Sequence, residues 1–141
     1  MEEALAAYAE AQRRDPAVEI SGDSWNSLCW NGSLYGHAAE VLDACERAVA
    51  LSPESESILD SRGLARALTG DAQGAIEDFR VFVRWADSSG DEELKIQRQR
   101  WIKVLENWLE HSERPYPFTF EALQAGQAPF EPGELDRLRG Q

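Results

Sequence analysis

Apolar residues recur along this chain at helical spacing, and the pattern itself recurs a fixed step later. Gly70 answers Gly36, Ala75 answers Val41, Ile76 answers Leu42, Phe79 answers Cys45 and Val83 answers Val49. In the leading half, Leu59 answers Trp25, Gly63 answers Cys29, Leu64 answers Trp30 and Leu68 answers Leu34. Side-chain size class is kept at these pairs apart from Cys45/Phe79, and the later pair Leu51/Trp85 is a second large swap. Every pair is separated by 34 positions. A constant period with turn residues and apolar residues in register marks stacked helical repeats.

The elements follow from that register. A helix is expected from Ser24 to Tyr35, entered through Asp23 or Ser24 as N-cap and closed at Gly36, where the missing Cβ makes a left-handed terminus cheap. Its partner runs from Ala38 to Leu51 and is stopped by Pro53. The second pair covers Ser57 to Thr69 and Ala72 to Ala86 around the Gly70-Asp71 turn. Upstream, Ala4, Leu5, Tyr8 and Ala11 followed by Asp15-Pro16 match Val41, Leu42, Cys45 and Ala48 followed by Ser52-Pro53, here 37 positions on, which places a three-residue insertion between Ala17 and Asp23. The first helix therefore reads as the second half of a repeat, either cut from a longer array or beginning with an exposed face at Leu5 and Tyr8. Beyond a polar break at Asp87 to Gly90, Leu94, Trp101, Val104, Leu105, Trp108 and Leu109 form one stripe of a long helix. Lys95, Arg98, Arg100 and Lys103 cover its other side. Without a companion, that helix serves as the cap that such arrays require. The tail duplicates itself at an offset of 12, with Pro117-Phe118 before Leu123 and Pro129-Phe130 before Leu135. Two short helices are expected there, docked through Phe118, Phe120, Leu123, Phe130, Leu135 and Leu138, because helices this short do not persist alone. Residues 1–112 are thus expected to form a repeat domain with its capping helix, and residues 113–141 an extension docked on it.

Charge narrows the partners. The 141 residues carry 14 Lys+Arg against 26 Asp+Glu, a net charge of −12. Such a surface repels phosphates, which excludes nucleic acid and an anionic membrane and favours a basic or apolar protein or peptide. The start lacks the basic-then-apolar order of a secretory leader, and no 18 apolar residues run together, so the expectation is a soluble cytoplasmic chain. Cys29 and Cys45 fall on the two helices of one repeat. A disulfide is within geometric reach, but the expectation adopted is two free core thiols in a reducing compartment. A zinc site would need two more soft ligands, and His37 alone is near. Catalysis has little to work with: His37 and His111 stand in no nucleophile or metal spacing, and Gly70 to Gly74 lacks the Lys-Ser/Thr of a phosphate-binding loop. No enzyme and no cofactor is expected.

The paired helices, the period, Trp25, the Gly36 turn, Ala48 and Pro53, then Gly63, Gly70-Asp71, Ala75 and Phe79, resemble the tetratricopeptide repeat. The likeness covers residues 1 to about 89, with residues 91 to 112 as a cap. Gly32 and Arg66 stand where the family carries a large aromatic residue, and Asp87 replaces the second proline. The resemblance implies an all-α, right-handed superhelix, a solenoid of about two and a half repeats plus a long capping helix and two short C-terminal helices. It further implies a concave groove that binds peptides, lined here by Asp23, Asn26, Trp30 and Ser33 and by Ser57, Asp60, Leu64 and Ala67. The basic residues with which some members grip a C-terminal carboxylate are absent from these positions.

Each candidate has a plainer reading beside it. Trp30 is either an aromatic contact for a partner or a core residue. Asp23 and Asp60 either receive a basic side chain or are solvated carboxylates. Arg62 and Arg66 are expected to pair with Asp43 or Asp78. The segment Arg114 to Phe120 has the prolines of an extended ligand and either enters a groove or closes the outside of the capping helix. The first functional reading is a non-enzymatic scaffold with an acidic and aromatic groove. The alternative is a structural or assembly domain excised from a larger multidomain protein, self-associating through the exposed N-terminal half repeat, with a homodimer through Leu5 and Tyr8.

Overall fold

The computed structural model describes residues 2–17 and 19–140, and every regular element among them is an α-helix. In chain order these are α1 (Glu2–Arg14), α2 (Gly22–Leu34), α3 (Ala38–Leu51), α4 (Glu56–Leu68), α5 (Ala72–Ser89), α6 (Glu92–Glu110), α7 (Phe120–Ala125) and α8 (Glu134–Arg139). Of the expected insertion, Val18 lies outside the described residues, as do Met1 and Gln141 at the expected outer bounds.

Serine opens both leading helices. Ser21 Oγ accepts from the Ser24 amide and Ser55 Oγ from the Ile58 amide, so each hydroxyl satisfies an amide that the helix itself cannot. The helices consequently start earlier than Asp23 or Ser24, and Ser57, would have placed them. The caps recur at the same step as the helices: α2 and α4 are each 13 residues long. α5 continues through the expected break at Asp87, because a polar helix surface costs little. It ends at Gly90, whose φ of 83° is open to glycine.

Neighbouring helices pack together: α2 on α3, α3 on α4, α4 on α5, α5 on α6, and α2 directly on α4. Two apolar clusters result. One, built by Trp25, Leu28, Val41, Ala44, Ala48, Ile58 and Ala65, receives Leu5 and Tyr8 of α1 at its edge, with Tyr8 edge-on to Trp25 at 5.2 Å. Inside it Cys29 and Cys45 are joined as a disulfide, with their Cα atoms 4.9 Å apart. This corrects the expectation of two free thiols. The α2/α3 contact is close enough that the two small side chains meet, and both are only 1% exposed. At the equivalent place between α4 and α5, Gly63 faces the Phe79 ring, and a Cβ on Gly63 would lie 2.9 Å from it. Beside that contact, buried Asp78 accepts from Arg62 Nε and Nη2 at 3.0 Å each and from Arg66 Nη1 at 3.2 Å, while Asp43 is taken by Arg47. The Asp78 hydrogen bonds hold the Arg62 guanidinium above its usual pKa against partial desolvation.

The second cluster answers where the tail goes. Phe118, Leu123, Phe130, Leu135 and Leu138 are buried with Leu34, Leu64, Ala67, Phe79, Trp101 and Leu105. Phe118 meets Trp101 edge-on at 5.5 Å and Phe130 at 4.9 Å. Phe120 is half-buried, its ring against Gly36. The Tyr116 hydroxyl donates to the Ala67 carbonyl, and its burial pushes the phenol pKa well above the ordinary range. Arg139 donates to the Leu34 carbonyl at 2.9 and 3.1 Å and lies over the Tyr35 ring. Two tail side chains thus cap the last carbonyls of α2 and α4, groups that helix geometry leaves free.

Candidate functional site

A cavity of about 320 Å³ lies where α2, α4 and the first turns of α6 converge. Asn26 and Trp30 reach it from α2, Ser57 and Asp60 from α4, and Arg98 from α6. At its base Arg98 and Asp60 form a two-pronged ion pair, Nε to Oδ1 at 3.0 Å and Nη2 to Oδ2 at 2.7 Å, with exposures of 1% and 4%. A guanidinium can be buried only with such a partner, and its flat faces then remain for aromatic rings. Those of Trp101, Phe82 and Trp30 surround it at 4.7, 5.1 and 5.7 Å. The pair cancels its own charge. What remains at the cavity is neutral and polar: the hydroxyls of Ser27, Ser57 and Ser61, the Asn31 amide, and Asn26, whose buried Oδ1 has no hydrogen-bond partner within the protein. A buried acceptor without a donor is costly and uncommon.

Of the eight residues expected to line a groove, Asn26, Trp30, Ser57 and Asp60 are brought together at this cavity. Asp23 is exposed at the start of α2 and does not line it. Ser33, Leu64 and Ala67 are each 0% exposed and out of a partner's reach. Ser33 turns its hydroxyl to the Cys29 carbonyl at 2.8 Å, and Leu64 and Ala67 belong to the cluster that the tail covers. Asp60 is a correction of another kind, since it is neither solvated nor waiting for a basic residue but held by Arg98. One member of the basic side of α6, Arg98, is corrected with it. Arg98 is interior, Arg100 pairs with Glu134, and Lys95 pairs with Asp87 at 2.7 Å and Glu92 at 3.3 Å.

The expected groove left out Ser27, Asn31, Ser61 and Phe82, and it left Leu94 and Arg98 on the capping helix, away from this site. For the last two a signal existed: carrying the 34-residue step on from Asp60 and Leu64 lands on Leu94 and Arg98, which puts α6 in the frame of α2 and α4. The tail is not a detachable plug. Phe118, Leu123, Phe130, Leu135 and Leu138 are each at most 6% exposed, and burying a side chain of that size stabilises by about 1.5–3 kcal/mol. Five of them bind the segment as core.

Among the described residues no cluster of three His, Cys, Asp or Glu side chains could hold a metal ion, and no helix is long and apolar enough to cross a membrane. Comparison with protein-family models, with curated proteins and with solved structures finds no match for this chain.

Proposed function

We propose that this chain is a tetratricopeptide-like, right-handed superhelical scaffold that binds a protein segment without catalysis, through the cavity between α2, α4 and α6. The repeated helix pairs support the architecture: α2 and α4 share length, cap and step, as α3 and α5 share their first residue type and step. The observation that carries the role is half-buried Trp30 set beside Ser27, Asn31 and Ser57 in one cavity, an aromatic face and polar groups held together. Helices packed on both sides hold these groups before a partner arrives, so little receptor entropy is lost on binding. The size of the opening favours insertion of one or two side chains rather than a long extended peptide lying along the whole inner face. The Cys29–Cys45 disulfide supports an oxidising setting, against the cytoplasmic placement expected earlier. Leu5 and Tyr8 lie half-buried on their own chain, so the homodimer reading has no observation in its favour.

The test is selection of a displayed peptide library on the intact chain, followed by titration of the selected peptides against Trp30→Ala and Asn31→Lys. Asn31 is exposed and lines the cavity, so its substitution leaves the core alone. Affinity is expected to fall about tenfold or more in both, as for an aromatic anchor and a charge placed in its path. Unchanged affinity in both folded variants would reject the site.

A further inference from the structure

We propose that the outer side of α6 carries a second docking surface, fitted to an acidic segment of a protein partner in which a bulky apolar residue stands next to the carboxylates. A cavity of about 310 Å³ opens there between the helix and the start of the tail. Val104 and Trp108 line it from α6, and Pro115 and Pro117 from the tail. The tail strand is fixed on the helix before any partner arrives. Trp108 Nε1 donates to the Arg114 carbonyl at 3.1 Å, the Tyr116 ring meets the indole edge-on at 4.9 Å, and each proline locks one backbone torsion. The cavity shares no residue with the one between α2, α4 and α6, so this surface stands independently of the groove.

Charge identifies the occupant. Lys103 and Arg114 line this cavity, and no carboxylate does. With 14 Lys+Arg set among 26 Asp+Glu, a cation of this chain generally finds an acid to pair with. Among the described residues only Arg84, Lys103, Arg114 and Arg139 make no ion pair, and Arg139 is bonded to the Leu34 carbonyl. Two of the remaining three therefore meet at one apolar cavity. The acids closest in sequence are directed elsewhere: Glu106 receives Arg80 at 2.8 Å, Glu113 stands 3.8 Å from His111 Nδ1, and Glu110 does not line the cavity. The net charge of −12 repels an acidic segment at a distance, but at physiological ionic strength exposed charges are screened beyond about 8 Å, so the cations at the contact decide. An exposed ion pair gains little by itself, which is why the apolar residue packed on Trp108 and the prolines is part of the recognition. Lys103, Asn107, Arg114 and Pro115 are exposed, so the occupant is held from one side, as side chains projecting from a larger body are, and not enclosed like a small molecule.

The probes are synthetic peptides in which phenylalanine stands between two glutamates, titrated by anisotropy against the intact chain. Counterparts replace both glutamates by glutamine or by lysine, or the phenylalanine by alanine. The parent peptide is expected to bind about tenfold more tightly than each counterpart. It should weaken about tenfold in the double variant Lys103→Glu with Arg114→Glu and in Asn107→Glu, all at exposed positions that leave the core intact. Arg84→Glu, on α5 and outside the cavity, changes the overall charge as much as either cation reversal and should leave binding unchanged. Equal binding of the glutamine or lysine counterpart would overturn the acidic partner, and equal binding of the alanine counterpart would overturn the apolar contact. A loss in Arg84→Glu as large as in the double variant would show a response to net charge alone and overturn the site. Indifference to the double variant, or no binding by the parent peptide, would remove this surface and leave the groove untouched.

Discussion

The α2/α3 pair and the α4/α5 pair hold the same contact by different chemistry. In the first, two small side chains are joined covalently, Cys29 to Cys45; in the second, glycine makes room and an aromatic ring fills it, Gly63 under Phe79. The two solutions occupy equivalent positions, and in each the residues are 16 apart in sequence. A helix pair of this kind thus needs a filled volume at that place, and it accepts either a cross-link or a ring. The second pair is held further by the Asp78 ion pairs and by Phe79 packing on Trp101 at 5.5 Å, which ties it to α6 and through Phe118 to the tail. The first connects outward at its cross-link through Ile58 and Ala65 of α4 and through Glu46, beside Cys45, to Arg62 and Arg66, with no aromatic ring to fill the contact itself if the bond is lost.

That contrast can be broken from either side. Removing the ring should do most: Phe79→Ala leaves a cavity at the centre of the larger cluster and is expected to cost about 3–5 kcal/mol, read from urea unfolding. Reducing the disulfide, or replacing it by Cys29→Ser with Cys45→Ser, is expected to cost about 2–4 kcal/mol, seen as a fall in melting temperature that the reductant no longer produces in the variant. Gly63→Ala pushes a methyl group against the Phe79 ring and should cost about 1–3 kcal/mol in the same unfolding measurement. The mildest change transplants one solution into the other pair. Cys29→Gly with Cys45→Phe should lose less than about 1.5 kcal/mol relative to the reduced protein, since it supplies the volume without the bond. A loss as large as that of Phe79→Ala would show that the two pairs are not equivalent after all.

The helix pairs were legible in the sequence because their apolar period and their turn glycines, Gly36 and Gly70, repeat. Their boundaries were less so. Ser21 and Ser55 recur at the common step, but each competes with polar residues one to three places on, and only backbone geometry decides which side chain accepts from the amide. The disulfide was half legible: the register places Cys29 and Cys45 where Gly63 and Phe79 touch, so contact follows, whereas oxidation does not follow from contact. Asp60 misled for a different reason. Its surface placement was inherited from the helix face it shares with Asn26, and the residue that buries it, Arg98, lies 38 positions away on a helix whose docking no local pattern determines. Leu64 and Ala67 were assigned to an open groove because a tail of two short helices says nothing of where it will settle.

The hydrogen bond from Arg139 to the Leu34 carbonyl spans a sequence separation of 105. A ribosome delivers Leu34, Leu64 and Ala67 well before the segment from Phe118 to Arg139 that covers them, so the nascent chain carries these apolar residues uncovered in the interval. A product stalled or cut before Phe118 therefore presents a sticky apolar face to the quality-control machinery.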